Sequence, residues 1–131
     1  MSVIDTGTEV MLGRTEGRVA VLTFNRPEAR NALHPQTYEA FERVLPLLAE
    51  DDSIGAVVLT GAGGAFCAGG DVKSMNARNT GTASSPATPE AAISDLRHRQ
   101  QAVSGALHTF PKVTVAAIDG AAAGAGLSIA L

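Results

Sequence analysis

The sequence has no tryptophan, and aromatic residues make up only 4% of it. A core of this chain has to be built mainly from alanine, valine, leucine and isoleucine. The single cysteine, Cys67, excludes an internal disulfide and fits a reducing compartment. Lysine is scarce: two of the ten basic residues are lysines, the rest are scattered arginines, and the net charge is −3. With no basic stripe, nucleic-acid binding is not indicated. No apolar run approaches the ~18 residues of a membrane span. The start, Met1-Ser2-Val3-Ile4-Asp5, lacks the basic-then-apolar order of a secretory signal. A cytoplasmic protein is the expectation.

What the chain has in excess is glycine, 14 in 131 residues, gathered in two places. The length is that of one domain or part of one. A chain of this size buries roughly two-thirds of its unfolded surface, enough for a real core.

Residues 1–7 read as a loose tail. Residues 9–14 and 18–24 read as two strands joined by Thr15-Glu16-Gly17, a hairpin signal. In the second strand both faces are mostly apolar, which predicts cover on both sides. A polar loop follows, Asn25-Arg26-Pro27-Glu28-Ala29-Arg30-Asn31-Ala32-Leu33. Tyr38, Phe41, Leu45 and Leu48 recur at helical spacing and predict a helix over 35–50, with Pro35 in its first turn. Pro46 inside it removes a hydrogen bond, so a kink near 42–46 or an early end is expected. Ala56-Val57-Val58-Leu59-Thr60 is β-branched and bounded by turn residues, a buried strand. Asp71 can cap a short helical turn through Met75, and 79–89 is a polar low-complexity loop. Ile93, Leu96, Val103 and Leu107 mark the apolar side of a helix over 90–109. Residues 112–118 read as another buried strand, and 127–131 as the start of a helix. Helices alternating with strands argue for an α/β core with a mainly parallel sheet. Ligands on such sheets gather at the carboxyl ends of strands.

Both glycine clusters sit at such ends. Gly61-Ala62-Gly63-Gly64 leads into Ala65-Phe66-Cys67-Ala68-Gly69-Gly70-Asp71-Val72-Lys73, and the later strand runs into Asp119-Gly120-Ala121-Ala122-Ala123-Gly124-Ala125-Gly126. Stretches of glycine and alanine leave backbone N–H groups open to a ligand that larger side chains would keep away. A dinucleotide turn at 61–64 is a weaker reading, because Phe66 stands where the third glycine of G-x-G-x-x-G belongs and no helix starts at once.

Four linked stretches carry a resemblance: Asn25-Arg26-Pro27 with Asn31-Ala32-Leu33; Val57 to Gly61; Ala65 to Lys73; and Pro111-Lys112-Val113 with Ala116 to Gly126. Together, over residues 10 to 131, the chain resembles the crotonase superfamily, also called the enoyl-CoA hydratase/isomerase family. The resemblance implies an α/β fold, a ClpP/crotonase-like spiral of repeated ββα units, truncated here, with 1–131 as its N-terminal part and the C-terminal helical trimerisation part absent. It implies trimers or hexamers and an acyl-CoA thioester substrate. Coenzyme A enters as part of that substrate, with no separate cofactor and no metal. It implies two backbone N–H donors, at Ala68 and Ala125, that hold the thioester oxygen while an enolate forms. Fixed donors favour that anion over the neutral carbonyl. It places Arg26, Arg30, Ala32 and Leu33 along the CoA channel, with Phe66, Ala68, Gly69, Gly70, Asp71, Val72 and Gly124, and pairs Arg26 or Arg30 with a CoA phosphate.

The chain departs from the family's pattern at Ser128, where its hydratases carry a first catalytic glutamate. Serine cannot replace a carboxylate that moves a proton. That argues against an ordinary two-glutamate hydratase and leaves open enoyl-CoA isomerisation with one acid from beyond residue 131, or hydration with relocated acids; the alternative is a member that binds acyl-CoA but is catalytically impaired. Other chemistries are less favoured. Ser128 lacks the last glycine of a G-x-S-x-G elbow and a triad. Cys67 reads as a small buried residue, Asp71 as a helix cap, and His34, His98 and His108 as packing or surface residues.

Overall fold

The computed structural model describes residues 2–70 and 89–131. The expected turn at 71–75, the polar loop up to residue 88, and the candidates Asp71 and Val72 lie outside the described residues. The chain opens with three antiparallel strands: β1 (Ser2–Ile4), β2 (Met11–Glu16) and β3 (Val19–Phe24). The segment expected to be a loose tail is thus a strand followed by an anchored turn. Arg43 holds it, with Nη2 2.7 Å from Asp5 Oδ2 and Nε donating to the Asp5 carbonyl. Thr6 is buried, its hydroxyl 2.5 Å from the Met11 carbonyl oxygen. Pairing with β2 orders a segment too short and polar to show a pattern of its own. The hairpin also closes later than expected. Thr15 and Glu16 pair with Ala20 and Val19, so the turn is Gly17-Arg18, with Gly17 at φ 60°. A two-residue turn with positive φ matches the twist of the flanking strands.

Helix α1 spans Pro35–Glu50. Its start is a reciprocal cap: the Gln36 N–H donates to His34 Nδ1 at 3.1 Å, and the His34 N–H donates to Thr37 Oγ1 at 3.3 Å. The helix neither breaks nor ends at Pro46. Both Pro46 and Glu42, whose carbonyl loses its usual partner, are exposed, so the missing bond falls where water can compensate. Strand β4 (Ala56–Gly61) pairs parallel with β3. Helix α2 (Pro89–Gln100) continues through a π-helical segment, Gln101–Gly105, to a last turn at Ala106–His108. Strand β5 (Val113–Ala116) then pairs parallel with β4, and α3 (Ala125–Ala130) closes the chain. The sheet order is β1-β2-β3-β4-β5.

The core lies on one face of the sheet. Ala20, Leu22 and Phe24 of β3 and Val57 and Leu59 of β4 pack with Ala40, Phe41, Val44, Leu45 and Leu48 of α1, and with Val103 and Leu107 of the second helical rod. The few aromatics are concentrated there. Phe24 meets Phe41 at 5.9 Å and Phe66 edge-on at 5.4 Å. Truncating one such buried ring costs about 3–5 kcal/mol.

The opposite face is covered unevenly. Val21 is buried, but Val19 and Thr23 are only half-buried, so β3 is not covered equally on both sides. Strand β5, expected to be buried, is exposed: Val113 and Val115, on the face away from the helices, are 64% and 47% accessible. The reason is position. Apolar composition signals burial, but β5 is the last strand of the sheet. Ile93, expected on the apolar side of α2, is also exposed, because this rod meets the core through Val103 and Leu107 beyond its first three turns.

Candidate active site

Three backbone segments lie side by side past the carboxyl ends of β3, β4 and β5. The middle one is 65–70, anchored by Phe66, whose ring is fully buried against Phe24. On one side it takes the loop after β3. The Ala68 N–H donates to the Arg30 carbonyl at 3.1 Å, the Leu33 N–H donates to the Gly69 carbonyl at 2.7 Å, and Leu33 and Gly70 form a parallel bridge. On the other side it takes the loop after β5. The Phe66 and Cys67 N–H groups donate to the Ala121 carbonyl, and the Ala123 N–H donates to the Cys67 carbonyl at 3.0 Å. The two glycine-rich loops, 57 residues or so apart in sequence, are thus one ribbon. Close approach forces its composition: a Cβ at Gly126 would overlap the Cys67 carbonyl.

Asn31 locks this arrangement. It is buried at φ 59°, a left-handed conformation that asparagine tolerates better than most residues. Its Oδ1 accepts from the Arg26 N–H at 2.8 Å, and its Nδ2 donates to the carbonyls of Ala62 (2.9 Å) and Ala65 (2.8 Å). One side chain therefore ties the loop after β3 to the loop after β4. Sequence reasoning quoted Asn31 only as part of a motif. Its signal was the residue type itself, an asparagine in a polar loop that has to turn.

The candidates divide by what they can present. Ala32, Leu33 and Phe66 are buried, and the last two belong to the core. Arg26 donates from Nη1 to the Ala32 carbonyl at 2.9 Å, which turns at least part of its guanidinium inward. Arg30 is exposed. Cys67 is fully buried, and burial pushes its thiol pKa up, partly offset by the Gly69 N–H. That is the setting of an inert thiol.

The N–H groups distinguish the proposed donors. Ala68 spends its N–H on Arg30. Among the described residues, the N–H groups of Gly70 and Ala125 donate to no acceptor. Ala125 opens α3, where the first N–H groups have no partner within the helix. Gly69 sits between, at φ 98°, and a Cβ built on it would lie 3.4 Å from the Ala125 nitrogen and 2.9 Å from the Ala123 oxygen. A side chain there would crowd the Ala123 carbonyl and come into contact with the Ala125 nitrogen. Beside it lies an open cleft of about 590 Å³, lined by Ala125 and Ser128 and by Arg97, Gln100, Gln101 and Ser104 of the second rod.

The fold is thus an α/β sheet whose strand ends carry two stitched, bare-backbone loops. Residues 14–131 match the family model for enoyl-CoA hydratase/isomerase, and the chain belongs to that family, the crotonase superfamily. It is 37% identical over 123 residues to 1,2-epoxyphenylacetyl-CoA isomerase of Escherichia coli K12, covering 94% of this chain and 45% of that protein. It is 34% identical over 122 residues to the short-chain-enoyl-CoA hydratase of Clostridium acetobutylicum, covering 88% of this chain and 41% of the relative. Among solved structures it is similar to an enoyl-CoA hydratase from Polaromonas sp. JS666, with a TM-score of 0.79 and 35% identity over 92% of this chain and 44% of that one. It is also similar to Pseudomonas aeruginosa DspI, with a TM-score of 0.76 and 30% identity over 94% of this chain and 43% of that one. These neighbours share the crotonase fold, which the chain adopts. The chain spans less than half the length of these relatives. Among the described residues, no helix is long and apolar enough to cross a membrane.

Proposed function

We propose that this chain contributes the oxyanion-holding half of an acyl-CoA enzyme, and that the N–H groups of Gly70 and Ala125 hold the thioester oxygen. The carrying observation is that, among the described residues, neither of these two N–H groups meets an acceptor, whereas the Ala68 N–H donates to the Arg30 carbonyl. On this reading Ala68 and Arg30 position the loop, and Gly69 stays bare so that the oxygen can reach Ala125. As the α-proton leaves in isomerisation, or as water adds at the β-carbon in hydration, charge moves onto the oxygen, and donors fixed by backbone stabilise it without reorganising. Arg30, exposed at the loop's edge, suits a CoA phosphate. Enoyl-CoA hydration or double-bond isomerisation both pass through such an anion, and assembly into trimers or hexamers belongs to the same proposal.

Replacing Gly70 with proline removes one donor, and replacing Gly69 with alanine crowds the other. Turnover of a short enoyl-CoA should fall ~10²–10³-fold in each. Undiminished turnover by Gly70→Pro in a folded protein would remove Gly70 from the hole.

One observation favours a second reading, a catalytically impaired acyl-CoA-binding member. Ser128 stands in the cleft, and none of the described residues lining that cleft is an acid. Calorimetric titration with an acyl-CoA beside product analysis separates the two readings: binding without hydration or isomerisation selects the second.

A further inference from the structure

The cleft beside Ala125 has an unusual lining for a site that would receive an acyl chain. Arg97, Gln100, Gln101, Ser104 and Ser128 bring a guanidinium, two amides and two hydroxyls to it. The part of the rod that faces it includes the π-helical segment Gln101–Gly105, and such segments are frequent at functional sites. Three basic residues follow one another on α2, and they do not share a direction. His98 Nε2 is 2.7 Å from Glu42 Oε1 on α1. Arg99 pairs with Asp95 at 3.3 Å, and its guanidinium lies 5.6 Å over the Tyr38 ring of α1. Both are turned toward α1. Arg97 is turned to the cleft, and it is the one charged residue among the described residues that line it.

A hydrocarbon tail placed there would strip water from these groups and return no hydrogen bond, which is unfavourable for each. A carboxylate would replace that water with a charge-assisted and geometrically matched partner, since guanidinium binds carboxylate through a planar fork. We infer that the cleft formed by Arg97, Gln101 and Ser128 beside the Ala125 N–H accepts an acyl chain that ends in a carboxylate, so that the substrate class is the CoA monothioester of a dicarboxylic acid. This rests on the reading that the Ala125 N–H holds a CoA thioester, and it adds what the far end of the acyl group is.

The test uses glutaryl-CoA and valeryl-CoA, titrated calorimetrically into the full native chain. The two have five-carbon acyl groups, lack the enoyl double bond and differ at the terminal group. Glutaryl-CoA should bind roughly 10- to 100-fold more tightly, the range expected of a hydrogen-bonded ionic contact. Arg97→Gln should weaken glutaryl-CoA until the two affinities agree within about threefold, leave valeryl-CoA unchanged, and abolish the salt dependence of the preference. Arg97→Lys should restore part of it. Equal affinity of the wild-type protein for both probes, or a preference for valeryl-CoA, overturns the inference and leaves the thioester site standing. Binding of neither probe overturns the thioester reading, and the inference with it. A glutaryl preference that survives Arg97→Gln overturns the assignment to this cleft.

Discussion

Replacing Asn31 with alanine tests whether one side chain holds the site's loops together. The substitution leaves the Ala62 and Ala65 carbonyls and the Arg26 N–H without their partner, at a residue that is 1% accessible. A buried group left unsatisfied costs ~1–3 kcal/mol. The left-handed backbone at φ 59° adds ~1–2 kcal/mol for alanine. With partial relief by entering water, the loss should be about 3–6 kcal/mol, a large share of the ~5–15 kcal/mol that holds a typical domain. Two further variants separate the contributions. Asn31→Gly relieves the backbone but not the hydrogen bonds, and should be about 1 kcal/mol better than alanine. Asn31→Asp keeps an acceptor for Arg26 but points a carboxylate at two carbonyls, and should be the worst of the three near neutral pH. The assay is urea unfolding followed by circular dichroism, at a slope common to all variants. An alanine variant within about 0.5 kcal/mol of wild type would refute the reasoning, because surface changes alone produce that much. A glycine variant equal to wild type would show that only backbone conformation matters at position 31.

Three other outcomes follow from the same geometry. Burial raises the Cys67 thiol pKa, so the native protein should react with iodoacetamide far more slowly than the unfolded chain. The unfolded thiol ionises first as pH rises, so Cys67 should erode stability on the alkaline side, a slope that Cys67→Ala removes. The Asp51 carboxylate accepts from the Ser53 N–H at 2.9 Å and the Ser53 hydroxyl at 2.6 Å, and these bonds, with Lys112 nearby, hold its pKa below the usual range. In Ser53→Ala, NMR titration should show the Asp51 midpoint moving up. Pro46→Ala returns an N–H to the interior of an unbroken helix at an exposed position, and should raise stability by about 1–3 kcal/mol. A fall in melting temperature would mean that the proline ring packs usefully.

The legible part of the fold was the part set by local patterning. The helix over 35–50, the strand at 56–60 and the α/β alternation follow from periodicity and turn residues. The exposure of β5 was not legible, because Val113 and Val115 look the same in sequence whether or not a neighbour covers them. Nor was β1, which exists only through its pairing with β2. At the site, the bare loops announced themselves through composition, and the residues around them identified the family. Which N–H stays unspent was out of reach. Ala68, Gly69 and Gly70 differ little in chemistry, and only the neighbouring loop reveals that the Ala68 N–H donates to the Arg30 carbonyl. Arg97 was equally silent: three consecutive basic residues on one helix separate by direction only when the helix has neighbours.

The end of α1 has a consequence for the order of folding. Its last turn contains no basic residue, and its C-cap, Asp51, is extended rather than left-handed, so a left-handed closure is absent, although the Asp51 carbonyl accepts locally from the Ile54 N–H at 3.0 Å. Lys112 adds partners from far along the chain, its ammonium donating to the Leu48 carbonyl at 2.6 Å and the Asp51 carbonyl at 2.5 Å from just before β5. Those contacts span 64 and 61 residues of chain. Helix α1 can therefore nucleate through its capped start, whereas the Lys112 contacts at its end form only once the chain just before β5 is in place. Part of what holds the end of the first helix thus waits on a long crossover closure, slow by nature.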